Sequence, residues 1–209
     1  VKNFFHPSRQ FYICGFSETM KTILLHPSYF PSIETMAHIV QADRVIWETE
    51  DNFQKQTYRN RAYIAHSNGK LLLNVPVKHI HGVRQKSRDV LTDENVNWQK
   101  QHFKSIRIAY RTSPFFEYYE DDFEELFAHP AERLMEHNLR IYDFLQEILG
   151  FQKETSVTDK FEHEPEGVLD LRYLVNAKKD FGFVPEPYTQ VLEEAHGFLP
   201  NLSVLDLIF

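Results

Sequence analysis

Hydrophobic residues along this chain change their spacing several times, and each change marks an element. Residues 22–25 (Thr-Ile-Leu-Leu) are an apolar run without polar alternation, the pattern of a strand buried on both faces. The run ends in His26-Pro27-Ser28-Tyr29-Phe30-Pro31, where two prolines stop any ladder. Ser32 is placed to cap a helix, in which Ile33, Met36, Ala37 and Val40 fall at helical spacing. Residues 43–49 (DRVIWET) read as a second strand. Strand, turn, helix and strand in succession form a βαβ unit, which predicts a right-handed crossover and parallel pairing.

The pattern then shifts to an antiparallel one. Residues 61–66 and 70–77 flank Asn68-Gly69, a two-residue hairpin signal. Residues 79–93 are polar and basic with no period, and read as a mobile loop. Helical spacing predicts 95–111, 115–127 and 131–149, punctuated by Pro114 and Pro130 and ended by Gly150. A short β-like run at 155–158, a Pro/Glu-rich loop and a helix at 203–209 complete the chain. Asn201 or Ser203 is expected to cap that last helix, with Asp206 near its positive end. The expected fold class is therefore α/β: an N-terminal βαβ unit of a mainly parallel sheet, a hairpin insertion, and a helical middle and C-terminal region. The expected organisation is an N-terminal extension over residues 1–19, non-native or outside the domain, and a single α/β domain over 20–209 that begins at Met20.

Composition narrows the class. Of the 209 residues, 42% are hydrophobic and 14% aromatic, enough apolar surface to offset chain entropy and exclude a disordered tail protein. No apolar run approaches the ~20 residues of a membrane-crossing helix, and the one after Met20 stops at His26-Pro27, too short for a signal peptide. A single cysteine, Cys14, excludes a disulfide scaffold and fits a reducing, cytoplasmic setting. The net charge of −7 argues against a generally basic nucleic-acid binder. Charge is nonetheless uneven. Lys55, Arg59, Arg61, Lys70, Lys78, Arg84, Lys86 and Arg88 face only Asp51 and Asp89 between residues 51 and 90, and the acidic excess lies later. Such a stretch attracts a small anion without making the whole surface adhesive; a solvated basic loop is the plainer alternative.

Four places could carry chemistry. The turn at 26–32 follows the first strand, where open α/β sheets bind ligands, although it lacks the glycines of a dinucleotide or P-loop fingerprint. Tyr58-Arg59-Asn60-Arg61 offers guanidinium groups for a phosphate or carboxylate. If extended, it points Arg59 and Arg61 to one side, and Tyr58 and Asn60 to the other. His102 is bracketed by Trp98 and Ile106 on one helix face, as a packed core histidine or as a general base. His79 and His81, beside Lys78, lack the further ligands of a metal site and fit an anion-binding loop better. Tyr188 and Gln190 could line a sugar pocket.

The same residues carry a resemblance. Met20-Lys-Thr-Ile-Leu-Leu-His26-Pro27-Ser28-Tyr29-Phe30-Pro31, Tyr58-Arg59-Asn60-Arg61, Trp98-Gln-Lys-Gln-His102 with Ile106 and Tyr110, Pro114-Phe115-Phe116, Tyr188-Thr-Gln190 and 197–207 together resemble the WbqC-like protein family over residues 20–209. That family typically has Gln where His26 stands and Trp where Tyr58 stands, so the His alters one contact and the Tyr keeps a ring with a polar tip. Relatives usually run on a few residues, so the end at Phe209 is expected to be a trimmed one. The resemblance implies a bacterial protein of O-antigen and surface-polysaccharide gene clusters, a group transferase moving a glycine or aminoacyl-type group to a sugar or sugar nucleotide. A non-catalytic nucleotide- or sugar-binding module is the alternative. On this reading the catalytic candidates are His102 and His26. The substrate-binding candidates are Tyr29, Tyr58, Arg59, Asn60, Arg61, Lys78, Tyr188 and Gln190. The expected partner is an anionic small molecule, a sugar nucleotide or another phosphate-bearing compound, with no nucleic acid, membrane span or metal; the cofactor is left open.

Overall fold

The computed structural model describes residues 22–78, 82, 84–129, 132–179 and 181–209. The N-terminal extension, Met20, and His79 with His81 lie outside the described residues. β1 (Thr22–Leu25) and β2 (Arg44–Trp47) pair in parallel with Leu24 opposite Ile46, and α1 (Ile33–Gln41) connects them. Ser32 caps α1 by accepting the Thr35 N–H, one of the donors a helix start leaves without a partner. β5 (Glu154–Val157) joins β2, and β6 (Leu169–Asp170) joins β1, both in parallel, giving the order β5-β2-β1-β6. Ile23, Leu24 and Leu25 are all at 3% exposure or less, because an inner strand of an all-parallel sheet is covered on both faces. All four strands thus deliver their carboxyl ends to one edge.

β3 (Arg61–His66) and β4 (Gly69–Asn74) form a separate antiparallel hairpin. Its loop lies one residue earlier than expected, at Ser67-Asn68, since Gly69 already pairs with His66. Gly69 has φ +103 while Asn68 has no positive φ, so the glycine lies just after the loop and the loop is not a type I′ turn. Three helices follow: α2 (Trp98–Tyr110), α3 (Phe116–Ala128) and α4 (Leu134–Leu149). Before α2 the Asn95 backbone and amide both donate to Asp93 Oδ1, a local turn that delays the helix by three residues. The basic stretch expected as a mobile loop is tied down over residues 84–93. Ser87–Asp89 is a 3-10 turn, Val90 and Thr92 are buried, and the Leu134 N–H donates to the Val90 carbonyl.

The core joins the helices to the sheet through Trp47 against Tyr142 of α4, ring centroids 4.9 Å apart, and through Phe30 against Phe123 and Phe127 of α3. Two short helices, α5 (Glu193–His196) and α6 (Leu205–Ile208), end the chain. Asn201 caps α1 from across the molecule, its Oδ1 accepting the Glu34 N–H, while Ser203 Oγ accepts the Leu205 N–H. Asp206 turns away from its own helix start to accept from Tyr110 and Tyr188. Among the described residues no helix is long and apolar enough to cross a membrane.

Candidate functional site

A charged network fills the carboxyl edge of the parallel sheet. His26 follows β1, Glu48 and Asp51 follow β2, Thr158 follows β5, and Arg172 follows β6. Ligand crevices of open α/β sheets open at this edge, so its occupants matter. Arg59 reaches in from the turn at 57–60, pairs with Asp51 Oδ2, and donates from Nη2 to His26 Nε2 at 2.9 Å. All three residues are buried. A guanidinium can only donate, so Nε2 of His26 is an acceptor and the ring proton resides on Nδ1. Burial, then the positive charges of Arg59 and Arg172, hold His26 well below the usual imidazole range. His26 is therefore neutral at pH 7. Burial also lowers the Arg59 pKa, opposed by Asp51.

Beside it, Arg172 donates to Glu48 Oε2 at 3.0 Å and to Asp170 at 2.7 Å, and lies 5.0 Å from the centre of the Phe161 ring. Glu48 Oε1 also accepts from the Thr158 hydroxyl and the Glu50 N–H, so one buried carboxylate ties three strand ends together. Burying a carboxylate is costly unless it is paired and hydrogen-bonded in this way.

The turn at 57–60 is held from three sides. The Tyr29 N–H donates to Tyr58 O, the Tyr58 N–H to Val175 O, and Asn138 Nδ2 to both Pro27 O and Arg59 O. Because this segment turns instead of extending, Arg59 and Arg61 do not point the same way, contrary to the extended reading. Arg59 is consumed by the network, whereas Arg61 stays half exposed and donates from Nε to Asn74 Oδ1. Outside the network lies a cleft of about 240 Å³ whose lining includes Phe53, Lys55, Asn60, Arg61, Asn74 and Pro76. Gln56 at its lip holds φ +62, and Phe30 in the turn after β1 holds φ +41, conformations that side chains other than glycine rarely adopt.

The remaining candidates separate into distinct environments. Tyr29 and His102 meet, the hydroxyl 2.8 Å from Nδ1, inside a cluster completed by Trp98 and His137. Burial lowers His102 to about 4, and burial with the charges of Arg140 and His102 lowers His137 to about 4. Neither nitrogen of His137 has a hydrogen-bond partner. Tyr58 packs edge-on to Tyr63, and Lys78 is exposed. Tyr188 and Gln190 spend their hydrogen bonds on each other, on Asp206 and on the Leu199 backbone, in the C-terminal segment and not at the edge.

Asp51, Glu48, Arg172 and Asn138 belong to the site and escape sequence reasoning. Asp51 leaves one signal: it is one of the two acids facing eight bases, and a lone acid in a basic stretch invites a pairing. Glu48, Arg172 and Asn138 leave none, because their meeting depends on which strands adjoin. Among the described residues no group of three or more His, Cys, Asp or Glu could hold a metal ion. The model of the WbqC-like protein family matches residues 26–182, about three quarters of the chain, and takes in the edge, the turn and the cleft. No curated protein and no solved structure matches.

Proposed function

The chain belongs to the WbqC-like protein family, and from that premise we propose that it is a cytoplasmic group transferase acting on an anionic small molecule. The transfer fits a glycine or aminoacyl-type group moving to a sugar or sugar nucleotide in bacterial surface-polysaccharide biosynthesis. The observation that carries the anionic substrate is the division of labour in the turn. Arg59 is neutralised internally by Asp51, while Arg61 faces a cleft with Lys55 and no lining carboxylate. His26, neutral and bonded to Arg59, sits behind that turn and positions it, and His102 supports Tyr29. Group transfer of this kind forms a bond from the acyl carbon to an acceptor oxygen or nitrogen and breaks the bond from that carbon to the donor's leaving group, which departs with the electron pair while the acceptor proton passes to a base.

A second reading, a non-catalytic nucleotide- or sugar-binding module, draws support from one observation. His26 and His102 are both buried, with Nε2 of the first and Nδ1 of the second already hydrogen bonded. The two readings part on turnover. Thermal shift of the full chain against nucleotides, nucleotide sugars and aminoacyl donors should give a salt-sensitive rise with at least one anion, and Arg61→Ala should remove it. A ligand at 100 times its dissociation constant adds about 2.7 kcal/mol. No response across the panel would remove the anion site and both readings with it. A hit that is bound but never converted would select the binding module.

A further inference from the structure

One edge of the parallel sheet is open among the described residues. β5 pairs with β2 alone, and β6 at the opposite end is only Leu169–Asp170. Strands of a parallel sheet are ordinarily buried on both faces, yet no residue of β5 is buried, and Val157 is 54% exposed. One bond fixes the direction of its backbone groups. The Thr158 N–H donates to Trp47 O, so by the two-residue period Ser156 and Glu154 also turn their polar groups to β2. Thr155 and Val157 turn theirs outward, to the open edge. The Lys153 N–H, next in that outward series, is already taken by Gln146 Oε1, which sets where the free edge begins.

Open edges are normally blunted by a proline, a bulge or a charge in mid-strand. Residues 155–158 (Thr-Ser-Val-Thr) hold no proline and no charge, and none has a positive φ. The charges stand outside them, Lys153 and Glu154 before, Asp159 and Lys160 after. This arrangement is self-complementary. With a second copy antiparallel and Ser156 on the two-fold axis, Thr155 lies opposite the partner's Val157, and the outward N–H and C=O groups of both residues meet. In the same register Lys153 falls opposite the partner's Asp159, and symmetry repeats the pair. Glu154, held by Arg44 of its own chain, falls opposite the partner's Thr158, so no like charges face each other.

We propose that two copies of this chain associate through β5, antiparallel about Ser156, so that the four strands of each copy join in one continuous sheet. Each facing pair of Thr155 and Val157 exchanges two backbone hydrogen bonds, and their side chains pack across one face of the new ladder. The ladder is short and its interface small, so dimer and monomer are in equilibrium and the dimer grows with concentration. Antiparallel pairing points the two carboxyl edges in opposite directions, and each copy keeps its own candidate site.

Sedimentation of the full chain over a range of concentrations should show a reversible monomer–dimer equilibrium. Val157→Pro should weaken it by at least about tenfold, because it removes an outward N–H and none of the bonds to β2. Asp159→Lys, at an exposed position, should weaken it too, by a margin that shrinks at high salt. Cross-linking in a Cys14→Ser background reads the register. Ser156→Cys should oxidise to a linked dimer, since facing residues of a non-hydrogen-bonded pair have Cα atoms about 4.5 Å apart. Thr155→Cys should not, since its counterpart lies diagonally about 8 Å away, beyond disulfide reach. A monomer at every concentration overturns the proposal, as does a dimer that neither Val157→Pro nor Asp159→Lys weakens. Equal cross-linking of the two cysteine variants, or none from Ser156→Cys, overturns the register and the edge pairing with it.

Discussion

Two arginines two positions apart have opposite fates, and the difference predicts opposite phenotypes. Arg59 is 4% exposed and bonded to Asp51 and His26. Arg59→Ala strands a buried carboxylate and should cost about 3–5 kcal/mol, the loss expected when one partner of a buried pair is removed. Arg61→Ala should change stability by less than about 0.5 kcal/mol, as for an ordinary surface position. Urea denaturation of both variants checks this, and equal losses would place Arg61 in the fold and not in the cleft. Spacing alone treats the two residues alike, because the sequence shows their alternation but not the turn that breaks it. The histidines carry a second prediction. His102 and His137 hold their native pKa near 4, whereas an unfolded imidazole binds its proton near 6.5. Between those values the unfolded chain binds more protons, so stability is intact above pH 6.5 and falls as pH drops towards 4, by on the order of 3 kcal/mol per group. Mutual repulsion of the two rings makes the second protonation harder still. Denaturation midpoints from pH 8 to pH 4.5 should show this decline, and His137→Leu should flatten part of it; a variant as pH-sensitive as the parent would clear His137 of any role.

Elements were legible where local chemistry decides them. β1 announced itself by an apolar run, α1 by Ser32, and the end of α4 by Gly150, and each stands where the pattern places it. Gly150 has φ +67, and a Cβ built there meets nothing within 4 Å. Gly150→Ala should therefore lose about 1 kcal/mol through backbone strain alone, with no packing defect. Gly150→Asn should recover part of the loss, because Asn tolerates that conformation; calorimetry of both variants distinguishes strain from a clash. Elements were misplaced where a longer-range or competing bond intervenes. Asp93 captures Asn95 and shortens α2, and the Gly69 pairing with His66 moves the hairpin loop. The edge network is a stronger case of the same limit. Neither strand order nor the approach of Arg172 to Glu48, 124 positions earlier, has a signature in local spacing.

At the scale of the molecule, the match to the family model ends at residue 182, but the packed core does not. The last segment is stitched into the N-terminal unit. Ile33 N–H donates to Leu202 O, Val204 N–H to Pro31 O, and Ser203 N–H to Tyr63 O of the hairpin. Leu202, Val204, Leu205 and Phe209 are buried, and Phe209 packs against Tyr110, Phe116 and Phe123 of α2 and α3. Asp206 holds the segment to α2 through Tyr110, and burial raises its pKa while hydrogen bonds from Tyr188, Gln190 and Tyr110 oppose that rise. Each large apolar side chain of this group contributes roughly 1.5–3 kcal/mol by burial, so their joint removal exceeds much of the 5–15 kcal/mol stability of a typical domain. A chain ending after residue 182 should therefore lose its cooperative thermal transition and become protease-sensitive across the first βαβ unit, even though every residue of the edge and cleft remains. Limited proteolysis with fragment mapping is the direct reading. A truncated chain that melts cooperatively and still binds phosphate esters would make the C-terminal segment an accessory, and would move the origin of stability wholly into residues 22–182.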